Sequence, residues 1–139
     1  MLDLSQLHLD EAGRKLGEFI AGEQEASRRH ELLVQYREEY RTRFVLAARD
    51  GLRPSEWQNY ASFLARLDEA INQADAAVTD TKQRTVAGQQ EWVVKRGRVK
   101  AFDTLSDRHR SLVASQDQRG EQKANDEHAA RRHEEKSKD

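Results

Sequence analysis

The sequence contains no cysteine, so neither a disulfide framework nor a thiolate nucleophile or thiolate metal site is available to it. It has one proline, Pro54, and the long stretches on either side carry nothing that breaks a helix by ring geometry. Only 36% of its 139 residues are hydrophobic and 6% aromatic, whereas 35% are charged. Globular domains run nearer to about 45–50% apolar and about 25% charged. The length is that of one domain, but a compact core is not expected. Net charge is missing too: 24 Lys and Arg against 25 Asp and Glu leave −1, which points at neither nucleic acid nor an anionic membrane. No apolar run approaches the roughly 20 residues that span a bilayer. The opening MLDLSQLHLDEAG lacks the basic and apolar regions of a signal peptide. These absences lead to an expectation of a cytoplasmic, extended, helical protein.

Catalytic signatures are absent as well. There is no Gly-rich phosphate loop, no HExxH and no nucleophile elbow. His128 and His133 are five apart, which is not the spacing of a helical metal pair. The carboxylates alternate with basic residues, as on solvated helix faces. The expectation is a non-enzyme that uses no cofactor, holds no metal, binds no nucleic acid and does not insert into a membrane.

What is present is a heptad. From Trp57, every seventh residue is Leu64, Ile71, Val78, Thr85, Trp92 and Val99, and only Thr85 is not apolar. The companion positions three residues on begin Tyr60, Leu67, Ala74 and Thr81, pass Gly88 and Lys95, and end at Phe102. Such a seam calls for a coiled coil rather than a globular helix. Over residues 55–116 it predicts one helix roughly 90 Å long.

A second seam precedes it. Leu2, Leu9 and Leu16 alternate with Ala12, Phe19, Ala26, Leu33, Tyr40 and Ala47, although Glu23, His30 and Arg37 make its middle polar. His30 reads as a partly solvated feature of that polar middle rather than as a ligand. Gly13, Gly17 and Gly22 each cost about 1 kcal/mol of helix stability relative to Ala. Between the seams stands Arg49-Asp50-Gly51-Leu52-Arg53-Pro54. Gly51 suits a left-handed helix end. Either Ser55 with Gln58 caps the next helix or Pro54 is its first residue.

The fold class expected is therefore all-α: a long two-helix antiparallel coiled-coil hairpin. Its helices cover about 3–48 and 55–116, with a turn at 49–54. A polar tail at 117–139, too poor in apolar residues to stay ordered alone, follows the coiled coil of 1–116. In this register Tyr60 lies against Phe44, Thr85 faces Phe19, Gly88 faces Leu16 and Trp92 faces Ala12. Helix two then outruns its partner, leaving Phe102, Leu105, Leu112 and Val113 as an overhang next to Lys95, Arg96, Arg98 and Lys100. Off the seam, Tyr36 and Phe63 fall on one flank near the turn, bordered by Leu33, Tyr40, Leu67 and Ala70. Exposed apolar surface of that kind marks a protein contact.

Three stretches together resemble a known family: Leu33-Val34-Gln35-Tyr36-Arg37-Glu38-Glu39-Tyr40-Arg41, Trp57-Gln58-Asn59-Tyr60 through Phe63 to Ile71, and Trp92-Val93-Val94-Lys95-Arg96 through Phe102-Asp103-Thr104-Leu105-Ser106-Asp107-Arg108. Over about residues 10–130 the chain is similar to the FliJ family of flagellar export proteins, by spaced aromatics and charges taken collectively. The resemblance implies an antiparallel coiled coil like the stalk subunit of rotary ATPases, in the cytoplasm at the inner-membrane base of the flagellum. The partners it implies are the hexameric flagellar export ATPase, the cytoplasmic domain of the membrane export gate protein, and export chaperones. Its gate-docking patch falls on Arg29, Leu33, Tyr36, Tyr40, Phe63, Leu67, Ala70 and Ala74, of which Arg29 and Ala74 depart from the family's Gln and His. The stalk likeness sets the end with Lys95, Arg96, Arg98, Lys100, Phe102 and Leu105 towards the ATPase ring. A general export chaperone, or the equivalent stalk protein of a virulence secretion system, is the alternative.

Overall fold

The computed structural model describes residues 4–138. They form two helices, α1 (Leu4–Arg49) and α2 (Pro54–Lys138), with no strand among the described residues. This is the all-α helical hairpin that the heptads predict. Leu2 and the expected start at residue 3 lie outside the described residues. The chain divides between Lys95 and Arg96 into two units.

The first unit is the hairpin itself. At its turn, Gly51 has φ 92° and its N–H donates to the Ala48 carbonyl at 3.2 Å. That conformation suits glycine, because a Cβ there would clash with the following backbone. The Arg53 carbonyl accepts the first bonds of α2, from Glu56 N–H at 3.0 Å and Trp57 N–H at 3.1 Å. Pro54 is thus the first helical residue, where its missing N–H costs nothing. Of the two openings left open by the sequence, the proline one is realised, and the helix begins one residue before 55.

Burial in this unit follows the heptad positions. On α1 the half-buried side chains include Leu9, Leu16, Phe19, Leu33, Tyr40 and Phe44; on α2 they include Tyr60, Leu64, Ile71, Val78 and Trp92. The register agrees with the pairing read from the sequence. Phe44 stacks near Tyr60, Leu16 and Phe19 close over Gly88, and Trp92 meets Gly13, next to the expected Ala12. The most buried hydrophobic residues are Ala12, Leu67 and Ala74, at 6–8% exposure. Thr85 is equally buried, and its hydroxyl donates to the Thr81 carbonyl at 3.0 Å. Its polar atom is satisfied by its own helix, so burial leaves nothing unpaired.

The polar middle of the seam is met by polar contacts across the helices. Arg37, at a seam position, donates its Nε–H to Asp68 Oδ1. His30 lies 3.9 Å from Asp75.

The second unit is the continuation of α2. Helix does not end near 116; it runs on to Lys138, and every side chain from 116 to 136 is exposed. The low apolar content of this segment is offset by good helix formers and by Lys123, Glu127, Arg131 and Glu135, which alternate in sign at four-residue spacing.

Candidate docking surface

Tyr36, Tyr40 and Phe44 recur every four residues on α1, and Trp57, Tyr60 and Phe63 every three on α2. The tight turn folds these two short rows against each other. The result is a ladder of six rings in the order Tyr36, Phe63, Tyr40, Tyr60, Phe44, Trp57. Successive centroid distances are 6.2, 4.3, 5.4, 5.2 and 5.0 Å. The end contacts, Tyr36–Phe63 and Phe44–Trp57, are edge-on at 78° and 84°. Pairs of this geometry each add about 0.5–1.5 kcal/mol beyond area burial. The rungs between are half-buried, whereas the two ends remain open, Tyr36 at 42% and Trp57 at 46% exposure.

Burial raises the Tyr40 phenol above its usual pKa, with Tyr60 and Tyr36 contributing. The Arg37–Asp68 hydrogen bond, beside Tyr36 and about one turn from Tyr40, raises the guanidinium's pKa further. The surface is therefore rigid and apolar in its body, with a phenol and an indole presented at its ends. Such a surface suits a protein contact.

The structure sorts the gate-docking residues expected from the sequence into three groups. Arg29 and Tyr36 are exposed; Leu33, Tyr40, Phe63 and Ala70 are half-buried. Leu67 and Ala74 are buried, at 7% and 8%. Both sit at seam positions, so they support the flank from beneath and are not part of its surface. The sequence reading paired Tyr36 with Phe63 but missed the continuous ladder and the exposure of Trp57. The three- and four-residue spacing of the rings is the signal that finds it.

The residues expected to face the ATPase ring divide between the units. Lys95 belongs to the hairpin, where it is half-buried and pairs with Glu91 at 3.4 Å. Arg96, Arg98, Lys100, Phe102 and Leu105 belong to the second unit, and all are exposed, Phe102 at 43% and Leu105 at 63%.

Among the described residues, no group of three or more His, Cys, Asp or Glu is placed to hold a metal ion. No helix among them is long and apolar enough to cross a membrane.

The family model described as Flagellar FliJ protein matches residues 1–138. The chain belongs to that family. A Flagellar FliJ protein of Salmonella typhi is 33% identical over 129 residues, covering 93% of this chain and 88% of the relative. One from Escherichia coli strain K12 is 30% identical over the same shares of the two chains. The FliJ family assignment made from spaced aromatics and charges is thereby shown over nearly the full length.

Proposed function

We propose that the chain is a non-enzymatic component of the flagellar protein export apparatus, a stalk-like coupling protein. In this reading the aromatic flank binds the cytoplasmic domain of the membrane export gate, and the first turns of the second unit bind the export ATPase ring. The ring-binding residues are Arg96, Arg98, Lys100, Phe102 and Leu105. Export chaperones are a third class of partner, and the protein works at the cytoplasmic side of the flagellar base.

The observation that carries the proposal is the six-ring ladder with an open end at Tyr36. A hairpin needs rings in its seam, but not one left 42% exposed beside an engaged Arg37–Asp68 pair. Rigid aromatic anchors of that kind are what hot spots are made of. Family membership supplies the flagellar context. The test is ATP hydrolysis by the purified export ATPase with and without this chain. Stimulation is the expected result, and an unchanged rate at saturating chain overturns the coupling role.

A further inference from the structure

The outward face of α2, opposite the seam, loses its charge over a long stretch of the hairpin unit. Between residues 72 and 94 the outward positions are Asn, Gln, Ala, Thr, Val and a single acid, Asp80, with Lys82 at the margin beside Thr79, Gln83 and Val86. Asp80 is held at 3.2 Å by Arg84, towards one edge of the strip. The corresponding face of α1 is charged along much of its length, through Arg14, Glu18, Glu25, Arg28, Glu31 and Glu38. In a chain with 35% charged residues, so neutral a face is not a solvated flank. Three valines stand on it with nothing over them: Val86 at 51%, Val93 at 60% and Val94 at 49% exposure.

The pattern of the strip is self-complementary. A second copy laid antiparallel, with a two-fold axis between Val86 and Ala87, sets each Val86 over the Ala87 of the other copy. Gln83 then meets Gln90, and Thr79 meets Val93 and Val94. Each contact occurs twice, as a two-fold interface requires. Large residues fall on small ones, and facing glutamine amides have both donor and acceptor to exchange. At the edge, Arg84 comes beside Glu91 of the other copy, so opposite charges meet on both sides of the axis. A parallel two-fold arrangement instead sets each residue against its own copy, which brings Arg84 beside Arg84 and Glu91 beside Glu91, like charge to like.

We infer that this strip is an interface at which a second copy of the chain docks antiparallel along α2. It is separate from the aromatic flank, and it goes beyond the export reading without resting on it. A strip from Thr79 to Val94 is only about 22 Å long. The association therefore belongs to the weak class that buries less than about 1,200 Å² in total.

The test is sedimentation equilibrium of the full chain from low micromolar to sub-millimolar concentration. The mass should rise from 16.1 kDa towards twice that value. Val93→Asp, on an exposed position, should keep full helicity and weaken association by at least about tenfold. Because the chain lacks cysteine, single Val86→Cys and Leu32→Cys variants compare the two outer faces directly. Under mild oxidant Val86→Cys should form a covalent dimer many times faster than Leu32→Cys. A mass that stays monomeric throughout overturns the inference. So does a dimer indifferent to Val93→Asp, or equal cross-linking at Leu32. If the chain stays monomeric and Val93→Asp instead abolishes binding to the ATPase or the gate, the strip belongs to that partner. Neither the mass nor the cross-linking depends on the export partners, so the two readings fail separately.

Discussion

Phe19 lies so close over Gly88 that a methyl group added at Gly88 would come within 2.8 Å of its ring Cδ2. Leu16 closes the same spot, 3.5 Å from that methyl position. Glycine here is a packing requirement, because no larger residue leaves room for the ring.

Two effects oppose each other in Gly88→Ala. Helix propensity favours alanine by about 1 kcal/mol, while overpacking costs about 1–3 kcal/mol. The net expectation is a loss on the order of 1 kcal/mol, read as a melting temperature several degrees lower. Gly17→Ala is the contrast, with nothing within 4 Å of the added methyl, and should raise the melting temperature. Thermal melts followed by circular dichroism check both signs.

Tyr40 sets an alkaline limit. Its folded pKa is raised by burial, so folding favours the neutral phenol. That contribution is complete below the unfolded value of about 10 and is lost as pH rises through the higher folded value. Tyr40→Phe keeps the ring and removes the titration. Melting temperatures above pH of about 10 should fall more steeply for the wild type than for this variant.

Tyr36 separates binding from folding better than Phe63 does. Phe63 packs against both Tyr40, at 4.3 Å, and Tyr36, at 6.2 Å, so Phe63→Ala should weaken the hairpin as well as the flank. Tyr36 meets Phe63 and Tyr40 only at 6.2 and 6.5 Å and is 42% exposed, so Tyr36→Ala removes the more peripheral ring. Its helicity should be unchanged while affinity for the purified gate domain falls by about 2 kcal/mol or more. A titration giving wild-type affinity would remove the flank from the gate contact.

In the second unit, charge and apolar anchors should act on different rates. Reversing Arg96 and Arg98 to Glu should slow association with the export ATPase, most of all at low salt where screening is least. Phe102→Ala should instead speed dissociation at any salt. Binding kinetics across a salt series read both. Wild-type association by the reversed protein at low salt would take this segment away from the ring.

Most of the hairpin was legible in the sequence because two signals of different kind agreed. The 3.5-residue period named the seam, and Gly51 with Pro54 pinned the turn, which together fix which residues meet. Less legible was anything set by a small rotation about a helix axis. Tyr36 and Tyr40 are four residues apart, about 40° around the helix axis, yet one ends up open and the other a rung. Leu67 and Ala74 were legible from their seam positions alone: both are buried, at 7% and 8%, beneath the flank to which the family resemblance assigns them. The end expected near 116 failed because apolar content governs packing, whereas Lys123, Glu127, Arg131 and Glu135 bear on the helix itself.

The seam of the hairpin is one layer of side chains thick, and its most buried hydrophobic residues still keep 6–8% of their surface. Nothing in it is sealed beneath a second layer. Each turn is held by its immediate neighbours across the seam, so stability accumulates along the length as in a one-dimensional array. Opening then proceeds like a zip from its ends, and within the hairpin's interior amide exchange should be fastest where Glu23 and His30 interrupt the apolar contacts. A coiled coil of this kind can lose grip locally, at a partner's touch, without giving up the fold.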